Sequence, residues 1–299
     1  MIKNPLLSTL AVVLFAAPNF AQETRPAEEA SLLDMTAPLL ETEQGHTVEL
    51  PGLELKDIPR IPWEKAILPG PAFVISDDPE YIRVPEAVAL REDVPAGRVR
   101  LYVYNVNGVK EPEEMPRKIS AVLENLGDEP MSVRMLASAF PEPSANYYHI
   151  GKTGLRDFFN SEPSDEVRTV APGEAIAIDP EMENSTVVYN DLVHGFYEFL
   201  IDQPGRIHVV QTAPDGSGPE AALRIDDVLA TKSHSGAGRG VFGASNQAVM
   251  AAENYKIDTT NGPVQLIIAD GEDEPWAKGT EATIDEFAVL KGNYGIVYD

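Results

Sequence analysis

The 299-residue chain contains no cysteine. Disulfide bonds, zinc–thiolate centres and cysteine nucleophiles are therefore excluded. Small exported domains often depend on disulfides, but a chain of this length can bury enough apolar surface to fold without them. The length suits one large domain or two of moderate size.

Basic residues are scarce as well. The sequence has 23 Lys and Arg against 48 Asp and Glu, which gives a formal net charge of −25. A field of this sign repels nucleic acid and anionic lipid, so neither is an expected partner. It suits cations or cationic surfaces, although the same balance is also typical of a heavily solvated surface.

Long apolar segments are missing beyond the N-terminus, so we expect no membrane span. At the N-terminus, Lys3 precedes an apolar run over 6–17, a layout typical of secretory signals. That run is too short to span a membrane. We therefore expect residues 1–21 to be a signal peptide, cleaved before Gln22, and the protein to be periplasmic or extracellular. The alternative is a buried N-terminal helix.

The rest of the chain is predicted to be all-β. Residues 22–70 are acidic and rich in proline, which interrupts helices and central strands, so they are predicted to form an extended arm. Residues 71–214 are predicted to form an antiparallel β-sandwich, either immunoglobulin-like or jelly-roll-like. Residues 215–299 are predicted to form a second, smaller β-rich lobe.

Alternation with a period of two residues supports the sandwich. In 98–108, Val99, Leu101 and Val103 alternate with polar or aromatic residues, as in a half-buried strand. Turn residues predict two hairpins, which join 118–127 to 131–140 and 195–202 to 206–212.

Shorter elements are predicted elsewhere in the chain. A brief helix is expected over 153–159. The alternation in 294–298 predicts a terminal strand, and the other strands of the second lobe, such as 264–268, are its expected partners.

Patterns for nucleophilic catalysis are weak. The five histidines include no pair with metal-ligand spacing, and His208, which lies between apolar neighbours, is predicted to face solvent. The stretch 243–247 lacks the second glycine of G-x-S-x-G, so an arrangement of Ser245 with His194 or His234 has no support in the sequence.

The glycine-rich stretch 236–243 is predicted to be a tight loop whose glycines adopt positive φ. It is not a phosphate-binding P-loop, because no Lys-Ser or Lys-Thr pair follows in register. Arg239 lies between two glycines, and a guanidinium on such a loop is a candidate clamp for a carboxylate or sulfate.

Two acidic loops are candidate cation sites. Residues 76–80 form one, and the other holds four carboxylates in five residues, which are Asp270, Glu272, Asp273 and Glu274. Calcium binds six to eight oxygen ligands, so the second loop is a candidate calcium site. Neither loop has EF-hand spacing, and solvated charge is the alternative. No other cofactor is expected.

Aromatic residues suggest a ligand rim. Tyr147 and Tyr148, followed by His149 and Lys152, are predicted to lie on a loop, where flat rings can stack on sugar faces. The alternative is that the rings close one end of the sandwich core.

Four stretches resemble a group of uncharacterised exported bacterial β-sandwich proteins, some of which occur alongside copper-amine-oxidase-like envelope domains. They are 98–105 (RVRLYVYN), 147–154 (YYHIGKTG), 238–242 (GRGVF) and 290–298 (LKGNYGIVY). The resemblance implies an exported β protein and carries no activity or functional residue with it. The histidines of this chain supply no copper site.

These observations favour an exported, non-catalytic binding or structural protein of the cell envelope or extracellular space. Polysaccharide or another envelope component is the expected partner, and carbohydrate and calcium are the candidate ligands. One alternative is a secreted hydrolase of envelope or polysaccharide polymers that pairs Asp226 or Asp227 with another acid. Another is a subunit of a surface layer. The sequence does not determine the oligomeric state.

Overall fold

The computed structural model describes residues 37, 38, 40–43, 46, 48, 58–231, 237–258, 260, 264–268, 270, 271, 276–284 and 287–299. Residues 1–53 form one compact unit and residues 54–299 form another. In the first unit, residues 37, 38, 40 and 41 are helical. The signal peptide predicted for residues 1–21 lies outside the described residues.

The described part of the second unit has sixteen strands in three sheets. The nine-stranded sheet runs in the order β15 (Ala288–Leu290), β14 (Ala277–Thr280), β12 (Arg239–Phe242), β2 (Ala72–Ser76), β5 (Gly97–Asn107), β10 (Leu192–Ile201), β7 (Met131–Ala139) and β8 (Val167–Val170), and β3 (Tyr81–Ile82) also pairs with β5. The four-stranded sheet contains β4 (Ala87–Val94), β11 (Gly205–Thr212), β6 (Lys118–Asn125) and β9 (Ala175–Ala177). The three-stranded sheet contains β1 (Trp63–Leu68), β13 (Asn246–Ala251) and β16 (Val297–Tyr298).

Three helices accompany these strands in the described part of the second unit. They are α1 (Tyr147–Asn160), α2 (Pro180–Glu183) and α3 (Gly218–Arg224). No helix among the described residues is long and apolar enough to cross a membrane.

The main core lies between the nine-stranded and four-stranded sheets. Val99, Leu101 and Val103 of β5 are fully buried there, and they share one cluster with Ile207 and Val209 of β11. Because each strand turns alternate side chains to the same face, the predicted alternation over 98–108 places these valines and leucine together. The all-β prediction is confirmed, while the immunoglobulin-like or jelly-roll-like assignment stays a prediction.

Both predicted hairpins are wrong. β6 and β7 lie in different sheets, and so do β10 and β11. Each predicted turn therefore carries the chain across the core instead of joining neighbours within one sheet. Strands with an apolar face show the same alternation whether their sequence neighbour lies beside them or opposite them, so the pattern could not separate the two cases.

The described strands of the C-terminal region do not form a sheet of their own. β12, β14 and β15 extend the large sheet through β2, so the predicted boundary near residue 215 does not divide that sheet. β1 lies within the predicted arm and pairs with β13. The terminal strand β16 also pairs with β13, which lies in the predicted second lobe, so the expected pairing within that lobe is confirmed, although the partner is not 264–268. Within that stretch, the described pairing is a single bridge from Gln265 to Arg60.

Candidate functional site

The face of the large sheet that points away from the main core carries aligned rows of side chains. Ile75 of β2 pairs with Tyr102 of β5, and Tyr102 pairs in turn with Phe196 of β10. These three side chains are almost fully buried. They form the middle row of the site.

A polar row lies beside the middle row. Tyr104 pairs with His194 across β5 and β10. Asp77 follows Ile75 by two residues, so the strand alternation places it on this same face, next to Tyr104. The charge of Asp77 raises the pKa of both Tyr102 and Tyr104, as expected for such neighbours, although burial is the larger cause for each.

Helix α1 covers one side of these rows. It begins after Asn146, whose side chain accepts a hydrogen bond from the His149 amide at 3.2 Å, an N-cap contact. Gly154 lies directly over His194, where a Cβ atom would approach the ring to 2.2 Å. One turn later, the ring of Phe158 stacks on Phe196 with centroids 3.9 Å apart. The absence of a side chain at residue 154 therefore allows the helix to pack this close.

The C-terminal segment 293–298 covers the other side. Arg100 donates hydrogen bonds to the carbonyl oxygens of Gly295 and Ser245, at 3.2 and 2.9 Å, and its guanidinium is paired with the buried carboxylate of Glu198 at 2.9 Å. The ring of Tyr294 lies 6.1 Å from that of Tyr102. A buried, fully bonded arginine thus holds the segment over the sheet.

A cavity of about 330 Å³ lies between α1 and this segment. Tyr102 and Phe196 line it from the sheet, Leu155 and Phe159 from the helix, and residues 293–297 from the C-terminal segment. Its lining is mainly apolar and aromatic.

Six of the ten tyrosines of the chain meet beside this cavity. We call them the tyrosine cluster, and they are Tyr81, Tyr102, Tyr104, Tyr147, Tyr148 and Tyr294. The hydroxyl of Tyr147 donates to the carbonyl oxygen of Asn190 at 3.0 Å, so the Tyr81 hydroxyl, also 3.0 Å away, is the donor to Tyr147. Tyr148 and Tyr294 are 74% and 45% exposed. Both side chains are therefore accessible to a ligand.

Asp77 is the acidic group nearest the centre of the site. Its Oδ2 accepts a hydrogen bond from the Ala237 amide at 2.5 Å, whereas its Oδ1 is buried without a partner among the described residues. Burial raises the pKa of Asp77 to about 8, the Ala237 hydrogen bond lowers it, and the charges of Glu80 and Asp78 raise it further. At neutral pH Asp77 is therefore mainly protonated and uncharged.

His194 is neutral as well. Its Nδ1 lies 3.1 Å from the carbonyl oxygen of Val103, and its Nε2 is buried without a hydrogen-bond partner in the described part of the chain. Burial lowers the pKa of His194 to about 4. Ser245 donates to the carbonyl oxygen of Pro71 and makes no hydrogen bond with His194, so these two residues form no nucleophile–base pair. His234 lies outside the described residues.

The predicted ligand rim lies on a helix and not on a loop. Tyr147, Tyr148, His149 and Lys152 occupy the first turns of α1, which begins six residues before the predicted helix. The two tyrosines join the cluster, whereas His149 and Lys152 are exposed on the helix surface. Their role in ligand binding stays a prediction.

Arg239 does not lie on an exposed loop. It belongs to β12 and is buried, with its guanidinium 2.8 Å from the carboxylate of Glu281. It also donates to the carbonyl oxygens of Ala89 and Leu229. These internal partners occupy the group that was expected to clamp an anionic ligand.

The predicted calcium loop is described only at its start. Asp270 lies 3.5 Å from Arg60, while Glu272, Asp273 and Glu274 lie outside the described residues. Among the residues that the structure describes, no group of three or more His, Cys, Asp or Glu is placed to hold a metal ion. Calcium binding therefore stays a prediction.

His208 is buried, contrary to the prediction that it faces solvent. Its Nε2 lies 2.9 Å from a carboxylate oxygen of Glu124. Arg91 pairs with it across the strands and donates to main-chain oxygens at the end of α3, so the helix covers this part of the sheet. Asp226 and Asp227, the acids suggested for hydrolysis, are exposed just beyond α3.

Asp77, Tyr102 and Tyr294 belong to one site, although no sequence pattern joined them. Each of them appeared in a separate pattern, as an acidic loop, an outward strand position and a terminal strand. Comparison of the chain with models of protein families, with curated proteins and with solved structures gives no match.

Proposed function

We propose that the chain is an exported, non-catalytic binding protein of the cell envelope or extracellular space, and that it binds carbohydrate at the tyrosine cluster. The observation that carries this proposal is the gathering of six tyrosines, three of which, Tyr102, Tyr104 and Tyr294, lie near the uncharged acid Asp77. Tyr148 and Tyr294 are exposed, and their hydroxyl groups make no hydrogen bond to a described residue.

The chemistry of the cluster suits a neutral, hydroxyl-rich ligand. Tyrosine rings offer flat apolar faces for the C–H face of a sugar, while their hydroxyl groups donate and accept hydrogen bonds at the ring edge. Ligand sites commonly combine such apolar walls with a few polar groups that fix orientation. The acidic surface of the chain disfavours anionic polymers, which leaves neutral or cationic glycans as the expected ligands.

The test is a glycan array followed by calorimetric titration of the best ligand. Tyr148→Ala should weaken binding at least tenfold, which corresponds to about 1.4 kcal/mol. Phe287→Ala is the matched control, because Phe287 is 72% exposed and lines a different cavity. Equal affinities for wild type and Tyr148→Ala would contradict a sugar site at the cluster.

A secreted hydrolase is the second candidate, since the raised pKa of Asp77 is the property that a general acid needs. Glycosidases pair such an acid with a second carboxylate. Glu80 is the neighbouring carboxyl, and burial raises its pKa too. Release of reducing ends from a bound polysaccharide, lost in Asp77→Asn and kept in Asp227→Asn, would establish hydrolysis in place of simple binding.

A further inference from the structure

The cavity beside the tyrosine cluster has a lining that a sugar alone would not fill. Its lining includes the rings of Tyr102, Phe159, Phe196 and Tyr294 and three aliphatic side chains, and Asn293 adds one polar side chain. Sugars expose hydroxyl groups on most sides, and burying those groups against such walls would leave hydrogen bonds unmade.

We infer that this cavity binds an aromatic ring that carries a phenolic or aryl-ether oxygen. The inference rests on the proposed function only for the polar part of the ligand, which would lie at the tyrosine cluster. The ligand class is then an aryl glycoside or a related phenolic compound.

The size of the cavity fits a ligand of one or two rings. Its volume of about 330 Å³ is roughly twice the ~150 Å³ of an apolar protein cavity that binds benzene. Aromatic ligands gain edge-to-face and offset contacts with aromatic walls in addition to the burial of apolar area. A flat ring between α1 and the C-terminal segment would contact Phe196 and Tyr294 together.

Tyr102 is the reason for placing an oxygen on the ligand ring. Tyr102 is only 4% exposed, yet its hydroxyl makes no hydrogen bond to a described residue. The other deeply buried tyrosine, Tyr197, follows the usual rule, since its hydroxyl donates to Asp179 at 2.8 Å. The Tyr102 hydroxyl itself is not fully buried, so an oxygen on the bound ring would replace water as its hydrogen-bond partner.

The cavity is also continuous with the tyrosine cluster, because Tyr102 and Tyr294 belong to both. A ring in the cavity and a sugar at the cluster would thus be joined over a short link, as they are in an aryl glycoside. Phe159, 64% exposed, and Leu155, 40% exposed, stand at the helix side of the cavity. A ligand ring would cover part of this exposed apolar surface.

The experiment measures binding of 2-naphthol and of its saturated analogue, decahydro-2-naphthol, to the full-length mature protein by calorimetry. We expect 2-naphthol to bind at least tenfold more tightly. Tyr102→Phe should weaken 2-naphthol binding about fivefold, the value of one net hydrogen bond. Leu155→Trp should abolish binding by filling the cavity, and Leu223→Trp is the control, since Leu223 is a similarly exposed leucine on α3.

Three results would overturn the inference. The first is unchanged 2-naphthol affinity in Leu155→Trp at an unchanged melting temperature, and the second is equal binding of 2-naphthol and its saturated analogue. The third is a wild-type dimer that dissociates in Leu155→Trp, which would mean that a second copy of the chain covers the cavity. A methyl glycoside separates this inference from the proposed function, because it tests the cluster without a ring. Loss of methyl glycoside binding in Tyr148→Ala with 2-naphthol binding unchanged supports both sites.

Discussion

Replacing Asp77 with asparagine should change how the stability of the protein depends on pH. Burial raises the pKa of the Asp77 carboxyl from 3.8 to about 8, with smaller contributions from Glu80 and Asp78. Asparagine has nearly the same shape as the protonated carboxyl, and its carbonyl oxygen can still accept the hydrogen bond from the Ala237 amide. The substitution therefore removes the titration and retains the contact.

The direction in which stability changes with pH depends on whether the folded or the unfolded chain releases the Asp77 proton first. Below a pH of about 4, the Asp77 carboxyl is protonated in both the folded and the unfolded chain. Between about 4 and 8 the unfolded chain loses this proton and the folded chain keeps it, so the free energy of unfolding falls by about 1.4 kcal/mol per pH unit. Above about 8 both states are ionised, and the contribution is constant.

The size of this change in the free energy of unfolding is best measured as a difference between wild type and the Asp77→Asn variant. Relative to wild type, Asp77→Asn should gain about 2.7 kcal/mol in its free energy of unfolding between pH 5 and pH 7. Urea unfolding at pH 5, 6 and 7 measures this gain, and all other titrating groups cancel in the comparison. Asp202→Asn is the control, because the hydrogen bond from the Ser132 amide lowers the pKa of Asp202 and completes its titration below this range. Parallel profiles for wild type and Asp77→Asn would refute the argument.

Two further substitutions test how the site is held together. Gly154→Ala should destabilise the fold by about 1–3 kcal/mol, because the new methyl group would meet the His194 ring. Gly151→Ala in the same helix, where the nearest neighbour of the new methyl group is 3.9 Å away, should stabilise the fold by up to about 1 kcal/mol. If thermal unfolding shows stability changes of the same sign for both variants, the packing of α1 on His194 is contradicted. Arg100→Met should lower the free energy of unfolding by about 2–3 kcal/mol, since it removes one of the two arginines paired with the buried Glu198 and leaves Arg98 as the other. Arg206→Met, at a more exposed ion pair, should lower it by at most about 1 kcal/mol. Similar urea midpoints for these two arginine variants would show that the buried pair does not hold the C-terminal segment.

Local sequence patterns correctly predicted which side chains share a face of a strand. The alternation in 98–108 separated Val99, Leu101 and Val103 from Tyr102 and Tyr104, and the structure places the two sets on opposite faces of β5. The same residues were the basis for expecting an all-β chain. Side-chain direction in a strand depends on the local backbone alone, so a period of two residues is sufficient to predict it.

Strand pairing depended on the tertiary structure. β10 lies between β5 and β7 and not beside β11, and β2 lies between β5 and β12. Pairs of this kind join positions that are far apart in the sequence, and alternation carries no information about the identity of a partner. For this reason both predicted hairpins were wrong, and the terminal strand pairs with β13 of the second lobe instead of with 264–268.

The candidate site, too, was predicted from the sequence only in part. From the sequence alone, Tyr147 and Tyr148 were identified as ligand candidates, the acids near Asp77 as a charged loop, and the chain as acidic and free of cysteine. The tertiary structure brought Tyr102 and Tyr294 to those residues, and it buried Arg239 and His208, which had been expected at the surface. Burial and unmade hydrogen bonds arise when distant segments pack against one another, so the protonated state of Asp77 and the cavity beside it follow from the packing of β2, β5, α1 and the C-terminal segment.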